Sequence, residues 1–271
     1  MTSLELGEAV ELAARVAANA GATGVEVYGV KYRRITVSVT WKGLESLLRN
    51  DEAGIGIRVH VGKRVAFTYT NRLTTTSIIN VAENIVKIAK TSPVDPNFPG
   101  FYDGDSIPHL EGLYSPFIRQ RIEDPDDLVE NILDAAKTVM DDKRIKLTMI
   151  YAGIGEAEHI ILNSEGVYAN APTTYSRVVV DLVATDGTDT SPSIYEYGGS
   201  RLQIPDVKKL ALNAAEKAVN SMKRVKVDLP DKMMVILRPQ AFVELFDYTY
   251  GAALSGRNYV NRSSPFKDKL G

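Results

Sequence analysis

Apolar residues recur at every second position through much of the early part of this chain. Ile35, Val37, Val39 and Trp41 alternate with Thr36, Ser38 and Thr40, and after a short polar break Ile55, Ile57, Val59 and Val61 alternate with Gly56, Arg58 and His60. A period of two gives each strand one buried face and one face that can stay polar. Gly62-Lys63 then leads into Val65, Phe67 and Tyr69, the pattern of an antiparallel hairpin with a tight, glycine-requiring loop. Ile78, Val81, Ala82, Ile85, Val86 and Ala89 repeat at three and four residues, which predicts an amphipathic helix across the sheet, ending before Pro93.

Upstream, Leu4, Leu6, Ala9, Val10, Ala13, Val16 and Ala17 mark another amphipathic helix. Thr2 with Glu5 suits a capping box, and Gly21 suits the stop. A short strand is expected near Val25 to Tyr28. The stretch after the second helix is rich in Pro and Gly, from Pro93 to Gly112, and reads as a linker or long surface loop. Asp124-Pro125 is an N-cap and first-turn pair for a helix through Leu128, Val129, Ile132, Leu133, Ala136 and Val139. Strands are then expected over 146–152, 158–163, 167–169, 175–185 and 193–197, with turns at Asn163 to Gly166 and at Asp186-Gly187. An Ala-rich helix follows over 207–222. Met233 to Leu237 reads as a short apolar strand, and Pro239 opens a helix carrying Phe242, Val243, Phe246 and Tyr250.

The fold class these patterns imply is α+β. Two sheet-plus-helix units, each an antiparallel meander covered by helices, precede the start of an incomplete C-terminal domain, because one strand and one helix cannot close a sheet. The expected boundaries are 1–95 for the first domain, 96–122 for the linker, 123–227 for the middle domain and 228–271 for the beginning of the last.

Several words along this framework carry a resemblance. Asp51 to Arg72, DEAGIGIRVHVGKRVAFTYTNR, and Thr91 to Phe98, TSPVDPNF, resemble the N-terminal domain of the TldD/PmbA family, peptidase-related proteins with the older name modulator of DNA gyrase. IILNSEGV at Ile160 to Val167, VVVDLVATDG at Val178 to Gly187 and YEYGGSR at Tyr195 to Arg201 resemble its middle domain. Leu254 to Gly271, LSGRNYVNRSSPFKDKLG, resembles the opening of its C-terminal domain. The resemblance implies a metal-bearing branch whose helix in this neighbourhood carries His-Glu-x-x-x-His, two imidazoles holding zinc and a glutamate activating water. Here that helix reads Gln240-Ala-Phe-Val-Glu244-Leu-Phe-Asp247-Tyr-Thr-Tyr250, without histidine.

Composition narrows the chemistry further. The 271 residues carry 32 basic against 34 acidic side chains, so no global attraction to nucleic acid or to an anionic membrane is expected. The chain has no cysteine, which excludes disulfides, thiolate nucleophiles and sulfur-based zinc sites within it. With no apolar run of bilayer length and no signal peptide, a cytoplasmic location is expected.

The three histidines, His60, His109 and His159, lack metal-ligand spacing. Glu156, Glu158 and His159 invite a metal reading, but alternation sends Glu158 and His159 to opposite strand faces. Asp186, Gly187, Asp189 and Thr190 resemble a calcium loop yet are explained by a hairpin turn. Gly54, Gly56 and Gly62 lie in an alternating strand and open no helix, unlike a dinucleotide loop. Gly198-Gly199-Ser200-Arg201 fits a tight turn or close backbone approach better than a phosphate loop. Lys31, Arg33 and Arg34, and Lys223, Arg224 and Lys226, sit beside acidic neighbours and read as solvated faces.

Tyr195, Tyr197, Arg201 and Arg257 are the peptide-groove candidates, since aromatic and guanidinium groups beside glycines can line a groove against an exposed strand edge. No catalytic or metal-binding residue is expected in this chain. The resemblance, with the histidines missing, implies the PmbA branch, also called TldE: a non-catalytic subunit holding unfolded peptide, with zinc on a metal-bearing TldD-like partner, or a homodimer. The alternative is a peptide- or protein-binding regulatory module outside any peptidase.

Overall fold

The long strands explain most of this architecture. In the computed structural model, which describes residues 3–104, 107, 110–228 and 230–269, the chain divides into two compact units, Met1–Lys223 and Arg224–Gly271. The first contains β1 (Gly24–Thr40), β2 (Gly43–Val61), β3 (Arg64–Thr70), β4 (Ile145–Asn163), β5 (Tyr168–Ala184) and β6 (Ile194–Ser200) in one sheet of order β3-β2-β1-β4-β5-β6. Every pairing is antiparallel. The two meanders expected from the sequence are therefore joined edge to edge by β1 and β4, from Glu26↔Asn163 to Val39↔Ile150.

Strands of 17 and 19 residues reach roughly 55–60 Å at about 3.3 Å per residue. The short strand near Val25 and the one through Ile35 are a single strand, as are the pairs 146–152 with 158–163 and 167–169 with 175–185. The polar break before Ile55 is strand as well. Trp41 leaves the alternation: it lies in the turn after β1 and is 65% exposed.

Helices α1 (Leu6–Asn19), α2 (Thr75–Thr91), α3 (Pro116–Glu123), α4 (Asp126–Met140) and α5 (Val207–Asn220) all pack on one sheet face. They build two apolar clusters. One joins Leu6, Val10, Ile78, Ile85 and Val86 to Val27, Ile57 and Ile160; the other joins Ile122, Ile132, Val139 and Ala214 to Ile35, Val37, Ile150, Ile154 and Leu182.

The caps differ in detail from the sequence expectation. Thr2 lies outside the described residues, and the box that opens α1 is formed by Glu5 and Glu8. Gly21 follows α1 at φ 94°, the left-handed geometry that suits glycine. α3 falls inside the stretch read as linker, where Ser115 accepts from the Ile118 N–H and Pro116 takes the first turn, while Ile118 and Ile122 are fully buried. For α4 the cap is Pro125; the Asp124 carboxylate accepts from the Asp126 N–H at 3.4 Å. The Asn163 turn is held by one side chain: its Oδ1 accepts from Glu165 and Val167 N–H, and its Nδ2 donates to the Tyr102 carbonyl.

The second unit contains α6 (Pro239–Phe246), a π-helical turn (Asp247–Gly251) and α7 (Gly256–Val260). Phe242, Phe246, Tyr250 and Phe266 form a ladder of rings with successive centroids 5.9, 5.5 and 6.2 Å apart. Met233 to Leu237 is not a strand here: an apolar run needs a neighbouring strand for its backbone groups, and none is paired with it among the described residues. Among those residues no helix is long and apolar enough to cross a membrane.

Candidate functional site

Among the described residues of the first unit, helices α1 to α5 pack on one face of the sheet and none packs on the other. Register places Tyr28, Tyr32, Phe67, Tyr69, Tyr151, Tyr175, Tyr195 and Tyr197 on that open side. Some of these rings lie over glycines, which leave room for them. Tyr175 covers its paired residue Gly155, where an added Cβ would stand 2.4 Å from the ring, and Tyr197 covers Gly199, where it would stand 2.5 Å from the phenol oxygen. Rings over strand glycines shield backbone that has no side chain of its own. Arg177 caps the Tyr151 ring at 5.1 Å, a cation–π contact. Burial raises the pKa of Tyr175, and a hydrogen bond with Glu52 raises that of Tyr32, so both phenols stay neutral at physiological pH.

β6 is an outer strand, paired with β5 on one side and with no strand on the other among the described residues. Tyr195 stands opposite Asp181 and Tyr197 opposite Val179 on the open face, while Glu196 between them faces α5, where Lys217 donates to it. Gly198 faces the helices: an added Cβ would meet Pro205 at 2.8 Å and Leu210 at 3.0 Å, the close approach expected of this glycine pair. Arg201 follows the strand, and its carbonyl accepts from Thr174 Oγ1 at 2.7 Å. The structure thus brings Tyr195, Tyr197 and Arg201 to one sheet edge, whereas Arg257 belongs to α7 of the second unit.

The remaining motifs have structural roles. His159 sits on the open face within 2.7 Å of the Tyr28 hydroxyl and 3.2 Å of Thr173 Oγ1, opposite in direction to Glu158. His60 packs against Phe98 and Phe101 and bonds the Gly62 carbonyl; His109 lies outside the described residues. Asp186 accepts from Thr188 and Asp189 across the hairpin that Gly187 turns at φ 91°, and the Thr188 hydroxyl foremost holds its carboxyl well below the usual range. Among the described residues, no three His, Asp or Glu side chains are grouped as metal ligands.

A further site is not marked by any motif in the sequence. On the helix-covered face, between the two apolar clusters, lies a cavity of about 930 Å³ lined by Lys31, Arg33, Asp51, Arg119, Glu156 and Glu158 among others. Arg33 donates to Glu123 and lies 3.7 Å from both Asp51 and Glu156; Arg49 reaches Asp51 at 3.6 Å and Glu123 at 3.7 Å. Arg119 lies 3.9 Å from Glu156, whose side chain is only 17% exposed. Lys31 stays solvated, as expected, while Arg33 is partly covered, and both line this cleft. The available signal was parity, since both occupy rows that hold Val27 and Ile35 at either end.

Comparison with known proteins matches family models along most of the chain: PmbA/TldA metallopeptidase domain 1 over residues 25–89, the central domain over 117–222 and the C-terminal domain over 230–271. The chain is 27% identical over 247 residues to protein MJ0231 of Methanocaldococcus jannaschii, covering 91% of this chain and 55% of that protein. It is also 27% identical to the metalloprotease PmbA homolog of Haemophilus influenzae, covering 98% of this chain and 59% of the relative. TldE from Thermococcus kodakarensis has the same fold, with a TM-score of 0.80 at 20% identity over 97% of this chain and 59% of that one. This chain thus spans little more than half the length of these relatives. A metallopeptidase centre requires neutral nitrogen or carboxylate donors around an open metal position, with a base for the water. The segment Pro239–Gly251 offers Gln240, Glu244 and Asp247, with Gln240 Nε2 3.4 Å from Glu244 Oε1; without imidazole, these residues do not fit a zinc peptidase ligand set.

Proposed function

The chain belongs to the PmbA/TldD metallopeptidase family, and from that premise we propose that it acts as a PmbA/TldE-like companion subunit, which holds unfolded peptide and performs no hydrolysis itself. The observation that carries this reading is the open aromatic edge at β6, combined with a helix that presents Gln240, Glu244 and Asp247 where the metal-bearing branch has histidines. The zinc is then supplied by a TldD-like partner in a cytoplasmic heteromer. A homodimer is the other assembly compatible with an inert chain.

Each group has a physical task in this reading. Backbone N–H and C=O groups on the outer side of β6 pair with an extended peptide of any sequence, because strand addition uses main-chain bonds. Tyr195 and Tyr197 pack against alternate peptide side chains and are rigid enough to do so at small entropic cost. Arg201, at the strand end, is placed to meet a carbonyl or carboxylate.

Replacing both Tyr195 and Tyr197 by alanine is expected to weaken binding of a labelled unstructured peptide roughly tenfold, the consequence of losing about 1.4 kcal/mol of contact. Fluorescence anisotropy on the intact chain measures this. Unchanged affinity would remove β6 from the binding surface. Capture of a folded regulatory protein with no peptide binding would favour the module reading instead.

A further inference from the structure

The charged cavity on the helix-covered face has a chemistry that neither the fold nor the family match explains. Strand alternation sends Lys31 and Arg33 of β1, Asp51 of β2, Glu156 and Glu158 of β4 and Asn170 of β5 toward the side where Val27, Ile35, Ile55, Ile154 and Ile160 are buried. Charged groups in core-facing rows are costly unless paired or solvated, and Lys31, Asp51 and Arg119 keep about half of each side chain exposed in the cleft. Here α3 reaches them only with Arg119 and Glu123 among the described residues, and about 930 Å³ stays open.

Its charge bookkeeping is uneven. The guanidiniums of Arg33, Arg49 and Arg119 are each already in contact with carboxylates of Asp51, Glu123 or Glu156. Arg119 also donates to the Tyr114 hydroxyl at 3.4 Å, which foremost raises its pKa. Glu158 differs. Its Oε1 accepts from Asn170 Nδ2 at 3.1 Å, and it has no ion-pair partner within 4.0 Å among the described residues. Lys31, directly across the register from Glu158, turns its ammonium to Glu5 at 3.4 Å instead. An entering anion would have to displace a carboxylate from an arginine. An entering cation meets a carboxylate held in place by one amide and otherwise uncompensated.

We propose that this cleft binds an aliphatic ammonium group of a peptide, with Glu158 as its anchor and Asn170 fixing the carboxylate. The ammonium can come from a peptide amino terminus or from a lysine side chain. This inference rests on the peptide-holding reading above and adds a charge preference to it, at a place on the opposite sheet face from Tyr195 and Tyr197.

Binding of three unstructured peptides to the full chain, by calorimetry, tests it. One peptide has a free amino terminus and no lysine, one is acetylated with a single lysine, and one is acetylated without lysine. At least one ammonium-bearing peptide is expected to bind roughly tenfold or more tighter than the third, the effect of one charge-assisted contact. Which of the two does so identifies the source. Glu158→Gln, which keeps the shape and the Asn170 contact, is expected to erase that difference, while Tyr195→Ala/Tyr197→Ala is expected to preserve it. Equal affinity of all three peptides, or a difference that survives in Glu158→Gln, would overturn the ammonium site while leaving the peptide-holding reading intact. Absence of binding by every peptide would defeat both.

Discussion

Truncating Ile57 or Ile150 to alanine is expected to cost about 2–5 kcal/mol each, and to lower one shared unfolding transition. Both side chains are fully buried, Ile57 in the cluster under α1 and α2, Ile150 in the cluster under α4 and α5. The loss combines transferred methyl groups with the void left in a packed interior. Such a loss is a large fraction of a total stability of about 5–15 kcal/mol. The shared transition follows from topology. β1 carries Val25 and Val27 into one cluster and Ile35, Val37 and Val39 into the other; β4 does the same with Ile160 and with Ile150 and Ile154. Melting either cluster frees half of two strands from each other, so neither has an independent folded form. Denaturant unfolding followed by far-ultraviolet circular dichroism and by native-state hydrogen exchange distinguishes the cases. Two transitions, each moved by only one variant, would mean that the two clusters fold as separate domains.

Gly29→Val is expected to cost about 3 kcal/mol, the upper end of ordinary overpacking. The backbone of β1 passes directly under α1 at this point: an added Cβ would lie 2.7 Å from Val10 Cγ2 and 3.1 Å from Leu6 Cδ1, and both partners are buried. Neither is the far end of a long flexible chain. Valine adds two further methyl groups to a contact already too short, so α1 must lift from the sheet. The predicted signature is a lowered midpoint together with faster exchange of the amides of α1, before the far cluster is affected. A Gly29→Val chain with unchanged stability would show that α1 can slide freely on the sheet.

The strands announced themselves wherever one face was apolar and failed to do so wherever the sheet runs beneath the charged cleft. Lys31, Arg33, Glu156 and Glu158 interrupt the apolar rows, so each long strand looks like two short ones with a polar break. The backbone continues because neighbouring strands satisfy its hydrogen bonds whatever the side chains are. Polar residues at the right parity, flanked by apolar ones of the same parity, were the trace of the cleft. α3 was hidden by surrounding prolines and glycines, although Ser115-Pro116 is a helix start and Ile118 and Ile122 share the four-residue spacing of one face.

At the candidate site, Tyr195 and Tyr197 could be placed on one strand face from alternation alone. That β6 lies at an edge could not, since sheet order depends on pairings between residues far apart in sequence. The same holds for Tyr175 over Gly155, which meet only across β4 and β5. Met233 to Leu237 is the converse case: the apolar run is present, but a strand forms only against another strand.

The central claim is that this chain holds peptide and leaves hydrolysis to a zinc-bearing relative. It is tested most directly by purifying the chain alone and together with a TldD-like subunit, then measuring zinc per chain and cleavage of an unstructured peptide. No stoichiometric zinc and no turnover are expected of the chain alone, with both supplied when the metal-bearing subunit is present. One zinc per chain and turnover by the isolated protein would contradict it.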